Sequence, residues 1–166
     1  MGMPYSTLLP IFAQEVLRGG AQTLGFLMGA AGIGALIGAM FLASRESVHG
    51  LETVLVVSAA IFGVGLIGFS LSRFFWWSCG MMLVSGCGMR VHLAAANTLV
   101  QTLVDDDKRG RVMSLHTMSV HGMVPLGSLL AGGLASQIGA STTLMLGGIF
   151  CAFGAVLFAT RRAAFK

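Results

Sequence analysis

The chain has 166 residues, of which 55% are apolar and only 10% are charged, whereas an ordinary soluble domain has about 25% charged residues. This composition excludes a water-soluble globular domain. Glycine contributes 24 residues without a Gly-X-Y period, which excludes collagen and is typical of membrane helix bundles. The net charge of +4 does not indicate a nucleic-acid-binding protein, because the basic residues are scattered between apolar runs.

Five apolar runs are long enough to cross a bilayer core of about 30 Å as helices of about 20 residues. In chain order they are Ala21–Leu42, Thr53–Leu71, Phe74–Asn97 with a continuation to Val104, Val112–Ala135 and Thr142–Thr160. The opening run, Met1–Ala13, is too short to cross and is expected to be the end of a sixth span. We predict an all-α transmembrane bundle, a single domain over residues 1–166, in which consecutive spans are antiparallel neighbours or near neighbours.

The basic residues predict the orientation of the bundle, because short cytoplasmic loops carry more lysine and arginine than external ones. One side of the predicted topology holds Arg45, Lys108, Arg109, Arg111, Arg161, Arg162 and Lys166, and the other holds Arg18 and Arg73. We therefore expect the C-terminus to lie in the cytoplasm. Phe74 to Trp77 then stand at the outer boundary, where aromatic residues are enriched.

The first full span is rich in glycine and contains two GxxxG spacings, Gly25/Gly29 and Gly34/Gly38. Small residues let two helix backbones approach closely within a bilayer, where lipid provides no hydrophobic drive to pack. We predict that these four glycines pack against other helices.

Polar residues are concentrated on the third and fourth full spans, whereas the second and fifth contain few and are expected to face lipid. On a helical wheel Gly86, Arg90, Asn97 and Gln101 share one stripe, and Ser114, Thr117, His121 and Ser128 share another. Two neighbouring polar stripes predict a water-filled cavity. Arg90 either contacts substrate there, pairs with a group on a helix that is not part of this chain, or extends to the cytoplasmic headgroups. His121 is either a proton-relay residue or a hydrogen-bonded core histidine.

No group of residues supports an enzyme. The six carboxylates, Glu15, Glu46, Glu52, Asp105, Asp106 and Asp107, all lie outside the predicted spans. Paired-carboxylate chemistry and proton coupling through an intramembrane Asp or Glu are therefore not expected within this chain. The run Asp105–Asp107 lacks the alternating ligands of a calcium loop, and we expect neither a metal nor a cofactor.

A resemblance to a known family is carried by three stretches: PYSTLLPIFA at Pro4–Ala13, LGFLMGAAGIGALIGA at Leu24–Ala39, and RGRVMSLHTMSVHGMVPLGSLLAGGLASQIGA at Arg109–Ala140. They resemble the C-terminal half of the major facilitator superfamily, in particular bacterial exporters of the drug and enterobactin branch. Pro125 and Gly127, in the third stretch, are expected to serve helix packing.

The resemblance implies that the opening run is the outer end of span seven and that the full spans are spans eight to twelve of an inner-membrane transporter. Spans seven, eight, ten and eleven of that family surround the substrate cavity or face the other half. The family's charged loop motif is degenerate here, since Ala43-Ser44-Arg45 stands where Ala-Asp-Arg is common. The gate or loop-anchoring charges are then expected at Asp105, Asp106, Asp107, Arg109 and Arg111.

Two hypotheses about function follow. The first is that the chain is part of a secondary exporter of small amphipathic molecules such as drugs or siderophores, of which an N-terminal half of six helices is missing. In this hypothesis the cavity is lined by Arg90, Asn97, Gln101, Ser114, Thr117 and His121. The second is a non-transporting membrane module that pairs with another membrane chain through the glycine-rich span.

Overall fold

The computed structural model of the protein describes residues 5–17, 19–45 and 50–164. They form six α-helices and, within these ranges, no strand: α1 (Tyr5–Glu15), α2 (Ala21–Ala43), α3 (Leu51–Ser70), α4 (Phe75–Leu103), α5 (Arg109–Ile138) and α6 (Ala140–Ala164). Helices α2 to α6 are each long and apolar enough to cross a membrane, and the predicted all-α transmembrane bundle is confirmed. Residues 1–4 of the opening run, Arg18, Glu46 and Lys166 lie outside the described residues.

Two connections differ from those predicted. Helix α5 begins at Arg109 instead of Val112, so Arg109 and Arg111 belong to its first turn. A single residue, Gly139, joins α5 to α6. Its φ of 85° lies in the left-handed region that glycine adopts without steric cost, which lets the chain reverse where a longer loop was expected.

Close backbone contacts at glycine join the helices in the spatial order α2, α4, α3, α6. A methyl group on Gly34 of α2 would overlap the carbonyl oxygen of Leu83, and one on Gly86 of α4 would overlap that of Ala31. Between α3 and α6, a Cβ on Gly63 would lie 2.8 Å from the carbonyl oxygen of Gly148. Glycine is therefore needed where these helices cross, because a side chain would separate the backbones.

Helix α3 occupies a more central place than the sequence predicted. It packs on both α4 and α6, and only one of its faces, with Val57, Ile61 and Val64, is exposed. Helices α2 and α3, although consecutive, share no close contact within the described residues. The expectation that this span faces lipid can therefore apply to this exposed face only, because two other helices cover the rest of α3, which its few polar residues did not show.

The apolar core lies at one end of the bundle. Leu8, Leu9 and Phe12 of α1 are buried there, and the ring centroids of Phe12 and Phe69 are 4.3 Å apart. At the same end the Ser141 hydroxyl donates to the Ser70 carbonyl oxygen over 2.5 Å. We call this the serine end, and the opposite end, which holds Arg45, Lys108, Arg109 and Arg111, the basic end.

Candidate functional site

The polar stripe of α4 starts at a helix crossing and continues along an open surface. Gly86 packs on the backbone of Ala31 in α2, whereas Arg90, Asn97 and Gln101, which follow on the same side of the helix, are exposed. The α2–α4 contact therefore places the stripe along the edge of α2.

Arg90 stands near the middle of α4. The helix has 29 residues, so Arg90 lies about 22 Å from its first residue and about 20 Å from its last at 1.5 Å per residue. It borders a groove of about 270 Å³ between α1, α2 and α4, which we call the Arg90 groove and which Leu9, Met28 and Gly32 also line. Because α4 is longer than the bilayer core of about 30 Å, its ends lie beyond the hydrocarbon, and the three interpretations of Arg90 stay predictions.

The polar stripe of α5 meets α1 at Ser128. The hydroxyl of Thr7 in α1 donates to that of Ser128 over 3.3 Å, and Ser114, Thr117 and His121 continue this side of α5 as exposed residues. Nδ1 of His121 lies 3.1 Å from the Thr117 carbonyl oxygen. Because a carbonyl oxygen only accepts, Nδ1 carries the proton in this contact, and Nε2 of the neutral ring is an acceptor.

Helix α1 borders both the polar stripe of α4 and that of α5. Its Leu9 lines the Arg90 groove and its Thr7 contacts α5, whereas α4 and α5 contact each other only slightly. Within the described residues no hydrogen bond joins the two stripes directly. The predicted cavity residues are thus exposed on α4 and on α5, but they do not form a closed site among the described residues, and their shared cavity stays a prediction.

The charged connection between α4 and α5 contains two local, exposed ion pairs. Arg109 Nη2 lies 2.5 Å from Asp106 Oδ1, and Lys108 Nζ lies 4.0 Å from Asp105 Oδ2. The aspartates are favourable here because they precede a helix N-terminus whose first turn carries Arg109 and Arg111. Asp107 and Arg111 are exposed, and the gate role of this connection stays a prediction.

Replacing Asp106 by asparagine is expected to change the free energy of unfolding by less than about 1 kcal/mol, because exposed ion pairs contribute little. Thermal unfolding of the detergent-solubilised protein, compared with an Asp107→Asn control, checks this. A loss several times larger would show that the Asp106–Arg109 pair is a structural clamp.

The predicted packing residues separate into three groups. Gly34 and Gly38 contact α4, and a Cβ on Gly38 would lie 2.8 Å from the Cys87 carbonyl oxygen. Gly25 and Gly29 are exposed, and a Cβ on either would have no neighbouring atom within 4 Å. Pro125 is exposed within α5, and Gly127 lines a second cavity.

That second cavity was not predicted from the sequence. It has a volume of about 510 Å³ and is lined by residues of α3, α4, α5 and α6, among them Leu55, His92, Cys151 and Phe158. Nδ1 of His92 lies 3.1 Å from the Leu55 carbonyl oxygen. We call this second cavity the His92 cavity. A histidine within an apolar span was a signal for it, but nothing in the sequence showed that four helices would meet around this ring.

Comparisons with known proteins agree with this architecture. A family model described as transmembrane secretion effector matches residues 3–164. The staphyloferrin A transporter of Staphylococcus aureus (strain NCTC 8325 / PS 47) is 30% identical over 150 residues, which are 89% of this chain and 37% of that protein. The D-xylose transporter of Levilactobacillus brevis is 31% identical over 121 residues, which are 73% of this chain and 26% of that protein.

The chain thus spans 37% and 26% of the lengths of these two relatives. No solved structure matches it.

Proposed function

The chain belongs to the transmembrane secretion effector family of the major facilitator superfamily, and from this premise we propose that it forms part of a secondary transporter that exports small amphipathic molecules. In this proposal the chain supplies spans eight to twelve and the end of span seven. The substrate path runs along the side of the bundle formed by α1, α2, α4 and α5.

The observation that carries the proposal is the position of Arg90, which is exposed near the middle of a membrane-spanning helix. A charge at the bilayer centre costs about 2.5 to 3.5 kcal/mol on insertion scales, and such residues normally face a bundle interior or a water-filled cavity. The adjoining groove and the polar stripe of α5 support a water-filled path on this side.

Helix α5 supports a partner on the same side. None of its residues 109–138 is buried, although it holds the polar stripe and large apolar side chains such as Leu115, Met118 and Leu129. Lipid does not solvate a polar stripe, so we propose that a second six-helix half covers it, encoded upstream in the same frame or as a separate chain. Secondary transporters move substrate by rocking two such halves about a central site.

The residues along this path suit an amphipathic substrate with oxygen-rich groups. The Arg90 guanidinium offers a fixed charge with paired donors, and Asn97, Gln101, Ser114, Thr117 and His121 offer further donors and acceptors. Apolar side chains such as Met28 and Leu93 line the remaining wall of the groove. We propose drugs or siderophores as the substrate class, with which the name of one relative, the staphyloferrin A transporter, is compatible.

An export assay tests the proposed function. Cells that produce the chain together with the upstream-encoded half are expected to retain less of a fluorescent amphipathic drug or an added siderophore than cells with the empty vector. Equal retention of every amphipathic compound, together with uptake of D-xylose, would contradict export and favour a sugar importer. An upstream region without about six further apolar segments of about 20 residues would contradict the two-half arrangement.

The basic end is expected to face the cytoplasm of the cell that makes the protein. Among the described residues it holds Arg45, Lys108, Arg109 and Arg111, while the serine end holds Arg73, and the side with more basic residues stays inside. An alkaline phosphatase fusion after Lys166 should be inactive, and a fusion after Arg73 should be active. An active phosphatase after Lys166 would overturn this topology and its assignment to the bacterial inner membrane.

A further inference from the structure

We propose that the His92 cavity is a second binding site beside the substrate path, with Met89 and Leu93 bordering both, and that it takes an amphipathic small molecule whose hydroxyl group donates a hydrogen bond to His92. The site lies entirely within this chain, because α3, α4, α5 and α6 supply its walls. It therefore does not depend on the second half that the proposed transporter requires.

The size and the walls of the cavity fit a small apolar body. Its volume of about 510 Å³ falls within the range of about 300 to 1,000 Å³ that ligand pockets occupy. Leu55, Phe62, Phe150 and Phe158 are among its apolar walls, and the described residues that line it include no Lys, Arg, Asp or Glu. Without a fixed charge in the wall, an ionised ligand would be bound at a large desolvation cost, so we infer a neutral one.

His92 defines the polar group that the ligand must carry. Its Nδ1 lies 3.1 Å from the Leu55 carbonyl oxygen, which only accepts, so Nδ1 holds the proton and Nε2 of the neutral ring is an acceptor. No buried side-chain nitrogen among the described residues lacks a partner, so Nε2 is accessible rather than enclosed. The complementary group is a donor, such as an alcohol or a phenol, and not a carboxylate or an ether.

Two native cysteines allow the site to be tested without further labels. Cys151 lines the cavity, whereas Cys79 is a free, partly exposed thiol on α4 that does not line it. Alkylation of both by N-ethylmaleimide, in membranes that contain the full chain, can be followed by mass spectrometry of the two peptides. A ligand in the His92 cavity should slow the reaction of Cys151 alone.

The probes are 4-octylphenol and its methyl ether, 4-octylanisole, which share the apolar body and differ in the donor. We expect the phenol to slow alkylation of Cys151 at least fivefold and to leave Cys79 unchanged. The ether should need a concentration about tenfold higher for the same protection, since it lacks one hydrogen bond. The variant His92→Phe should bind both probes equally.

A pair of glycine variants on α6 tests whether the probe binds in the His92 cavity. Gly154 lines the cavity and Gly147 does not, although both have open space where a Cβ would be placed. The variant Gly154→Leu should raise the half-protecting phenol concentration at least tenfold, and Gly147→Leu should change it less than twofold.

Three results would overturn the proposal: no protection of Cys151, equal protection of Cys79 and Cys151, or equal potency of phenol and ether on the unmodified protein. The last would mean that any alkyl chain, including that of a lipid, fills the space. If His92→Phe perturbs the fold, Cys79 will react faster as well, and the comparison of the two probes on the unmodified protein then decides alone.

Discussion

Replacing Gly34 by alanine is expected to lower the free energy of unfolding by about 3 kcal/mol, at the upper end of the usual cost of overpacking a core. The new methyl group would overlap the Leu83 carbonyl oxygen. That atom belongs to a helix backbone, so it moves only if α2 and α4 separate along the contact. The purified variant should therefore unfold halfway at a lower SDS concentration and at a lower temperature than the unmodified protein.

The matched control is Gly29→Ala on the same helix. Gly29 has no atom within 4 Å of the position a Cβ would occupy, and alanine is a better helix former than glycine by up to about 1 kcal/mol. This variant should be as stable as the unmodified protein or slightly more stable. Equal stability of the Gly34 and Gly29 variants would show that the α2–α4 backbone contact does not form.

A second pair on α4 repeats the comparison from the other side of the contact. Gly86→Ala would place a methyl group against the Ala31 backbone, while Gly80→Ala has open space. Because Gly34 and Gly86 belong to the same α2–α4 contact, the two destabilising changes should not add in the double variant. Additive losses would mean that each glycine acts through a different contact.

Replacing Arg90 by leucine is expected to reduce export by the complete transporter about 100-fold. Hydrogen bonds to a charged group contribute about 1.5 to 3 kcal/mol each, and about 2.7 kcal/mol corresponds to a 100-fold change. Initial rates of substrate efflux from vesicles, normalised to the amount of protein in the membrane, measure the effect. Arg73→Gln, which removes an exposed cation at the serine end, is the control and should export normally.

The variant Arg90→Lys distinguishes between two roles of Arg90, contact with the substrate and contact with the lipid headgroups. Lysine keeps the charge but lacks the planar pair of donors. If Arg90 binds substrate, the Arg90→Lys variant should therefore export at about a tenth of the rate of the unmodified protein. A residue that merely reaches the membrane surface would be replaced by lysine without loss. Full export by both Arg90→Lys and Arg90→Leu would remove Arg90 from the substrate path.

The number and approximate limits of the spans could be predicted from the sequence because they depend on local properties. Runs of about 20 apolar residues between charges are required by the bilayer thickness, and α2 and α3 start and end within two residues of their predicted limits. Helix α5 begins at Arg109, three residues before the predicted start, because charged residues such as Arg109 and Arg111 can occupy a first helical turn when aspartates precede them.

The candidate site was predictable only in part. Helical spacing alone put Arg90, Asn97 and Gln101 on one stripe, and the structure places them on one exposed side of α4. The same spacing treated Gly25/Gly29 and Gly34/Gly38 as equivalent, whereas only the second pair meets α4. A GxxxG spacing shows that close approach is possible, but it does not show which face of the helix another helix covers.

The sequence by itself therefore determined that the chain is a membrane helix bundle, where its spans lie, and which residues are polar within them, because hydropathy, length and helical periodicity are properties of each segment alone. Only the tertiary structure decided that α2 packs on α4, that α3 lies between α4 and α6, and that residues of four helices line a cavity beside His92. These features depend on contacts between residues far apart in the chain, such as Gly34 with Leu83 and His92 with Leu55, and no local pattern specifies such pairs.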